Sequence, residues 1–177
     1  MLFRSDQDGQ EPTKDIKIVL VGRGGAGKTS LVRRLKEDTF DPCEPMTKGI
    51  HQTRFNLKTP VGIFRLNAWD FGGQERMHAT HQFFMTRQTI YLLVLQGREG
   101  NVDAEAEYWL NYIESFGADS QVLVVLNKTY ECAFDLNYTR LLRKYRQCQN
   151  FVKIDCKENK GIKDLTAHLG EIGRAHV

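Results

Sequence analysis

The sequence predicts an α/β fold: a mostly parallel, six-stranded sheet with helices on both faces. Two observations predict this class. Short apolar runs rich in β-branched residues occur at intervals, and longer segments with apolar residues at helical spacing lie between them. Alternation of this kind is typical of parallel sheets, because each parallel crossover needs a long connection that is usually a helix. Ligands of such sheets bind at the carboxyl ends of the strands.

The first half of the chain supplies three of the six strands. Residues 16–21 are apolar on both faces, as a buried central strand requires, and residues 28–36 have a helical pattern. Residues 53–57 and 63–69 are two further predicted strands, joined by the turn sequence Thr-Pro-Val-Gly at 59–62.

The second half supplies the other three strands and three more helices. In chain order, strand first and then helix, these elements cover residues 90–95, 103–116, 122–126, 136–147, 151–154 and 162–169. Residues 1–14 are polar and contain Gly and Pro, so we expect a flexible N-terminal linker there and one domain over residues 15–175.

Composition argues against several classes of protein. The net charge is only +3, which is too weak to indicate binding to nucleic acid. The four cysteines, Cys43, Cys132, Cys148 and Cys156, fit no zinc spacing, and we expect reduced thiols. No segment has the pattern of a signal peptide or the length of a membrane span. We therefore expect a cytoplasmic protein that binds neither nucleic acid nor membrane.

Residues 22–29 match the phosphate-binding pattern G-x-x-x-x-G-K-[ST], between a predicted strand and a predicted helix. Glycines let the backbone wrap a phosphate and direct N–H groups inward, and the helix amino end adds partial positive charge. Lys28 would reach the β- and γ-phosphates, and the Thr29 hydroxyl would bind Mg²⁺. The predicted phosphate-binding residues are Gly24, Gly25, Ala26, Gly27, Lys28, Thr29 and Ser30. We therefore predict a P-loop NTPase.

A second motif, Trp-Asp-Phe-Gly-Gly-Gln-Glu at 69–75, follows a predicted strand. Asp70 would hold Mg²⁺, the Gly73 N–H would contact the γ-phosphate, and Gln74 would orient the attacking water. We therefore predict Lys28, Gly73 and Gln74 as catalytic residues.

With these motifs the sequence resembles the Ras-like small GTPases, and more narrowly the Roc domains of the Roco family. The resemblance lies in residues 69–75, in His-Ala-Thr-His-Gln-Phe-Phe-Met-Thr-Arg at 78–87, in Thr-Lys-Gly-Ile at 47–50 and in the helix that carries Trp109. It implies a Ras-like G domain of Roc type over residues 15–175, which binds GTP or GDP with Mg²⁺ and hydrolyses GTP slowly. It also implies a regulatory switch within a larger Roco protein, a COR domain as partner and a possible homodimer.

The resemblance further implies two switch loops. Thr47 would coordinate Mg²⁺ and sense the γ-phosphate, together with Thr29 and Asp70. The first switch loop would be residues 40–48 and the second residues 71–82, and their order would report the triphosphate. Candidate arginine fingers are Arg23, Arg54, Arg76, Arg87 and Arg98, or an arginine of a second subunit.

The base-reading motif departs from the family pattern. The family reads N-K-x-D, and this chain reads Asn127-Lys128-Thr129-Tyr130, where a tyrosine hydroxyl cannot accept both hydrogen bonds that an aspartate accepts from guanine. The second base loop is Asp-Cys-Lys at 155–157, in place of the family's Ser-Ala-Lys or Ser-Cys-Lys, so Asp155 stands at the serine position. By this match the Cys156 N–H would face the guanine carbonyl, and the Lys157 stem would pack over the base.

Three interpretations of the base site remain open. The reading carboxylate has moved to Asp155, with the Tyr130 hydroxyl bracing it; or Glu131 supplies the carboxylate; or binding is weak and loosely selective. The last interpretation permits an unselective NTPase. It also permits an alternative function, a nucleotide-binding dimerisation or interaction module with little turnover.

Overall fold

The structure is a computed structural model that describes residues 14–72, 89–97, 101–116, 120–131, 133–134 and 136–175. The strands of these residues are Lys14–Val21 (β1), Ile50–Thr59 (β2), Gly62–Phe71 (β3), Ile90–Gln96 (β4), Gln121–Asn127 (β5) and Cys148–Lys153 (β6). The helices of the same residues are Lys28–Glu37 (α1), Val102–Phe116 (α2), Tyr138–Lys144 (α3) and Ile162–Ala175 (α4).

The six strands form one sheet in the order β2-β3-β1-β4-β5-β6. The edge strand β2 runs antiparallel to β3, and every other pair of neighbours is parallel. The two-residue turn between β2 and β3 explains the antiparallel pair, because parallel neighbours need a longer crossover. The order and the directions confirm the predicted fold class.

Side chains alternate between two apolar cores, one on each face of the sheet. On β1, Ile18 and Leu20 join the core that includes Leu31 of α1, whereas Val19 and Val21 join the core that includes Trp109 of α2. Each fully buried side chain of this size contributes about 1.5–3 kcal/mol to stability. Helices therefore cover both faces, and the rigid sheet presents the loops at its carboxyl edge.

Two helices differ in length from the prediction. Helix α3 covers Tyr138–Lys144 rather than 136–147, because the Asn137 side chain caps it by accepting the Arg140 N–H at 3.0 Å, and Tyr145 is extended. Helix α4 continues past residue 169 to Ala175, through Gly170. A Cβ on Gly170 would lie 2.6 Å from Thr59 Oγ1. This glycine therefore allows a close helix–sheet contact and does not end the helix.

Strand β1 begins at Lys14, the last residue of the predicted linker, and residues 1–13 lie outside the described part of the chain. Among the described residues, none of the helices combines the length and the apolar character that crossing a bilayer would need.

Candidate functional site

A cavity of about 500 Å³ lies at the carboxyl edge of the sheet, between the loops that follow β1, α1, β5 and β6. This volume is typical of sites for small molecules and cofactors. The predicted nucleotide-binding residues that line it are Gly24, Gly25, Gly27, Lys28, Thr29, Ser30, Asn127, Lys128, Asp155, Cys156 and Lys157. The remaining one, Ala26, is 1% exposed. The structure thus brings together residues that stand more than a hundred positions apart.

The loop between β1 and α1 is held by backbone conformation and by one distant side chain. Gly27, the N-cap of α1, has φ +95°, and a Cβ there would collide with the Asn127 amide. The same amide donates to the Ala26 carbonyl at 2.9 Å. Glycine at 27 is therefore required twice, by its left-handed backbone and by this close approach.

Lys28 is buried at the base of this loop, where its ammonium group donates to the carbonyls of Gly22 and Arg23, each at 2.8 Å. Burial lowers the pKa of Lys28 to about 8, although the carboxylates of Asp70 and Glu105 partly oppose the shift. A buried cation with few compensating anions favours an anionic ligand.

The three predicted magnesium ligands converge at the amino end of α1. The hydroxyl oxygens of Thr29 and Thr47 lie 2.6 Å apart. Asp70 Oδ2 accepts a hydrogen bond from each, at 2.5 Å from Thr29 and 3.3 Å from Thr47. Oxygen ligands from helix α1, from the first switch loop and from the end of β3 therefore meet at one point, as a hard divalent cation requires.

Asp70 is 3% exposed, and its second oxygen, Oδ1, is buried without a hydrogen-bond donor among the described residues. Burial raises the pKa of Asp70, and the hydrogen bond from Thr29 and the charge of Lys28 act in the opposite direction. An unpaired buried carboxylate oxygen costs free energy, and a cation would remove that cost. The residues therefore fit Mg²⁺. In the described part of the chain, no group of three or more His, Cys, Asp or Glu side chains offers another metal site.

Glu105 of α2 is a site residue that the sequence did not reveal. It is 7% exposed, and it accepts a hydrogen bond from the Arg23 backbone and pairs with the Arg23 guanidinium at 3.7 Å. Helix α2 thus braces the phosphate-binding loop, and the Arg23 side chain points out of the cavity. Of the other candidate fingers, Arg54 binds Asn67 on the sheet at 2.7 Å, and 76, 87 and 98 lie outside the described residues.

The first switch loop covers one wall of the cavity through Phe40, Glu44 and Thr47. Arg33 of α1 holds it, because two guanidinium N–H groups donate to the Glu44 carboxylate at 2.6 and 3.0 Å. Such a bidentate ion pair is stronger than a single contact. The pair therefore fixes the loop against α1.

The second switch loop is described only at its start. The Gly72 N–H donates to the Gly49 carbonyl at 2.9 Å, which ties this start to the residue that follows the first switch loop. The predicted catalytic residues Gly73 and Gln74, and the histidines at 78 and 81, lie outside the described residues.

Asn127 joins the loops at the base end of the cavity. Its Oδ1 accepts the N–H groups of Lys128 at 2.8 Å and Cys156 at 3.2 Å, while its amide reaches Ala26. Arg34, another residue that the sequence did not reveal, donates to the Cys156 carbonyl from Nε at 3.0 Å and from Nη2 at 2.6 Å. Burial raises the pKa of the Cys156 thiol to about 12, so the thiol is structural rather than reactive.

Asp155 lies between two segments that we call the base loops, residues 127–131 and 155–158. Oδ2 accepts the Tyr130 N–H at 3.2 Å, and Oδ1 accepts the N–H groups of Lys157 and Glu158, each at 3.0 Å. In one of the three open interpretations, the tyrosine hydroxyl braces this carboxylate. The structure corrects that detail, because the backbone N–H of Tyr130 is the brace, and Tyr130 is 61% exposed.

The sequence matches the family described as "Ras of Complex, Roc, domain of DAPkinase" over residues 17–130. The chain belongs to the Roc family. The matched residues run from β1 through both predicted switch loops to the first base loop, so they include most of the cavity described above.

Solved and curated relatives agree with this family. The Roc chain shares 44% identity with Methanosarcina barkeri Roco2 RocCORdC bound to GDP, with a TM-score of 0.79 and coverage of 97% of this chain and 53% of that one. It is 30% identical to a Roc-COR-CHAT protease of an unknown prokaryotic organism, over 86% of this chain and 16% of the protease. It is 25% identical to the probable serine/threonine-protein kinase roco5 of Dictyostelium discoideum, over 94% of this chain and 8% of the kinase. The chain thus spans about half of the solved relative and under a fifth of these two curated ones.

Proposed function

We propose that this Roc domain is a regulatory switch that binds GTP and GDP with Mg²⁺ and hydrolyses GTP slowly, within a larger cytoplasmic Roco protein. One observation carries the proposal. Lys28 and the converging oxygens of Thr29, Thr47 and Asp70 lie at one end of the cavity, and the loops that hold Asn127 and Cys156 lie at the other. Phosphates with a metal suit the first end, and a purine base suits the second.

At the phosphate end, Lys28 would exchange its two carbonyl partners for phosphate oxygens, which is favourable because its buried charge then gains an anion. Thr29, Thr47 and Asp70 would hold Mg²⁺. When bound, the ion would neutralise charge on the β- and γ-phosphates. The glycines of the loop leave the backbone N–H groups free of side-chain bulk.

The switch would act through Thr47. This residue stands on the first switch loop, which the Arg33–Glu44 pair fixes to α1, and Gly49 binds the start of the second switch loop through Gly72. A γ-phosphate that draws Thr47 toward the metal would therefore order both loops together. Its loss would release them.

Hydrolysis would depend on positioning. Gln74 would orient the water, and the Gly73 N–H would stabilise the γ-phosphate as charge develops. Among the described residues no arginine side chain lines the cavity, since Arg23 pairs with Glu105 instead. An arginine finger commonly supplies a large part of GTPase rate, so slow intrinsic turnover is expected.

The partners belong to the proposal as well. The names of two relatives combine Roc with COR, so we propose a COR domain of the same parent protein as partner, and a homodimer as the assembly. The alternative is a nucleotide-binding interaction module with weak selectivity and little turnover. The exposed Tyr130, at the position where the family has its base-reading aspartate, favours that alternative.

Single-turnover hydrolysis tests the proposal. The protein is loaded with γ-labelled GTP and Mg²⁺, and phosphate release is followed for the wild type and for Gln74→Leu. Slow release that the substitution reduces further supports the GTPase. Tight GTP binding with identical, negligible release in both proteins supports the interaction module.

A further inference from the structure

The residue that replaces the base-reading aspartate does not face the cavity. The centroid of the Tyr130 ring lies 4.1 Å from the Lys160 ammonium group. Tyr130 is 61% exposed. A cation over an aromatic face is attractive, so this contact ties the first base loop to Lys160, whose backbone pairs with that of Asp155 in the second base loop. Tyr130 thus has a bracing role, and guanine needs a different acceptor.

Asp155 has little capacity left to serve as that acceptor. A carboxylate offers about four lone-pair sites, and three backbone N–H groups already occupy Asp155, two on Oδ1 and one on Oδ2. The residue is also only 3% exposed. Guanine presents two adjacent donors, N1–H and the N2 amine, which need two acceptor sites. Asp155 therefore suits the role of holding the loops together.

Glu131 brings a second carboxylate to the same end of the cavity. Its N–H donates to the Lys128 carbonyl at 3.0 Å and closes a four-residue turn, so the chain reverses and residue 131 returns beside residue 128. Both residues line the cavity, together with Asp155, Cys156 and Lys157.

We propose that Glu131 reads guanine by accepting N1–H and the N2 amine, and that Asp155 and Tyr130 are positioning residues that keep the turn in place. This inference rests on the proposed guanine-nucleotide function and names the residue that gives it selectivity. The turn places the reading carboxylate one position later in the chain than in the family pattern, because the side chain at position 130 packs against Lys160 instead of facing the base. Adenine would be rejected, since its N1 is an acceptor that faces a carboxylate.

Xanthosine diphosphate provides a test that a structural role does not mimic. Xanthine has a carbonyl where guanine has its N2 amine, so a glutamine amide matches xanthine and a glutamate matches guanine. In calorimetric titrations with Mg²⁺, Glu131→Gln should weaken GDP binding by roughly 10- to 1,000-fold and should strengthen XDP binding. Asp155→Asn should weaken GDP and XDP by a similar factor, and Glu114→Gln, at an exposed position of α2 outside the cavity, should change neither.

The outcomes separate the two proposals. If the wild type binds GDP no more tightly than ADP, the guanine-nucleotide function itself fails. If the wild type selects guanine but Glu131→Gln leaves GDP and XDP unchanged, or weakens both equally, only the assignment of Glu131 is overturned. A gain of XDP binding in Asp155→Asn rather than Glu131→Gln would make Asp155 the reader.

Discussion

Asn127 donates its side-chain amide to the carbonyl of Ala26, 101 residues earlier in the chain, at 2.9 Å. The same side chain accepts the Cys156 N–H at 3.2 Å and is 1% exposed. One residue thus joins the phosphate-binding loop to both base loops. The phosphate and base ends of the cavity are therefore mechanically connected.

Asn127→Ala should lower the free energy of unfolding by about 2–4 kcal/mol, because it leaves the Ala26 carbonyl and the Cys156 N–H buried without partners. GDP affinity should fall as well, because the base loops lose their anchor. Urea unfolding and calorimetry check the two effects. Asn127→Asp keeps the acceptor and loses the donor, so it should lie between Ala and wild type. An Ala variant as stable as the wild type would show that the link carries no energy.

Nucleotide binding should take up a proton at high pH. The pKa of Lys28 is about 8 in the folded protein without ligand, and bound phosphates should raise it. At pH 9 Lys28 is mostly neutral before binding and charged after binding, so affinity should fall as pH rises through 8. Titration with GDP in two buffers of different ionisation enthalpy measures the uptake. Near pH 7 Lys28 is charged both with and without nucleotide, so its contribution to proton uptake should vanish.

The same shift predicts how the stability of the ligand-free protein depends on pH. Between about pH 8 and 10.5 the unfolded chain holds more protons on Lys28 than the folded chain does. The contribution of this residue to stability therefore rises with pH across that window. Urea unfolding at pH 8 and pH 10, compared between wild type and Lys28→Met, isolates it. A contribution that falls with pH would contradict the buried state of the ammonium group.

Asp70→Asn should make GDP binding insensitive to Mg²⁺. Burial raises the pKa of Asp70, so keeping its carboxylate charged without a metal ion costs free energy. The ligand-free variant should therefore be as stable as the wild type or more stable. The ratio of GDP affinities in Mg²⁺ and in chelator, expected to be at least tenfold in the wild type, should approach one. Asp15→Asn, at the exposed start of β1, is the matched control and should keep the ratio. An unchanged ratio in Asp70→Asn would remove this residue from the metal site.

Breaking the Arg33–Glu44 pair should speed nucleotide release. The carboxylate is 16% exposed and the contact is bidentate, so loss of the pair should raise the release rate several-fold. Stopped-flow release of a fluorescent GDP from Glu44→Gln and Arg33→Met measures this. The double variant should release no faster than either single variant. Additive effects would show that the two residues act separately.

The sequence predicted the structure where a local pattern determines the backbone conformation. The alternation of apolar runs predicted the six strands, and the glycine-rich motif before Lys28 predicted the phosphate-binding loop, because few other structures accommodate these patterns. Asp70 was assigned from a motif and Thr47 from the family resemblance, and the structure brings them within hydrogen-bond distance of each other and of Thr29.

Contacts between distant segments were not predictable in this way. Glu105 and Arg34 look like ordinary charged residues of amphipathic helices, yet each is buried against a loop of the cavity. The role of Asp155 depends on which backbone N–H groups the loop turns toward it, and spacing does not determine that. The shorter α3 has a local cause, since the Asn137 cap and the extended Tyr145 outweigh the helical pattern of the flanking residues.

The most direct test of the account is calorimetric titration of the nucleotide-free protein with GDP and with ADP, each with Mg²⁺. The cavity geometry predicts that GDP binds at least about 100-fold more tightly than ADP, since a site that pairs with guanine donors leaves polar groups unsatisfied against adenine. Equal affinities, or no binding of either, would contradict the guanine-nucleotide switch and would favour an interaction module.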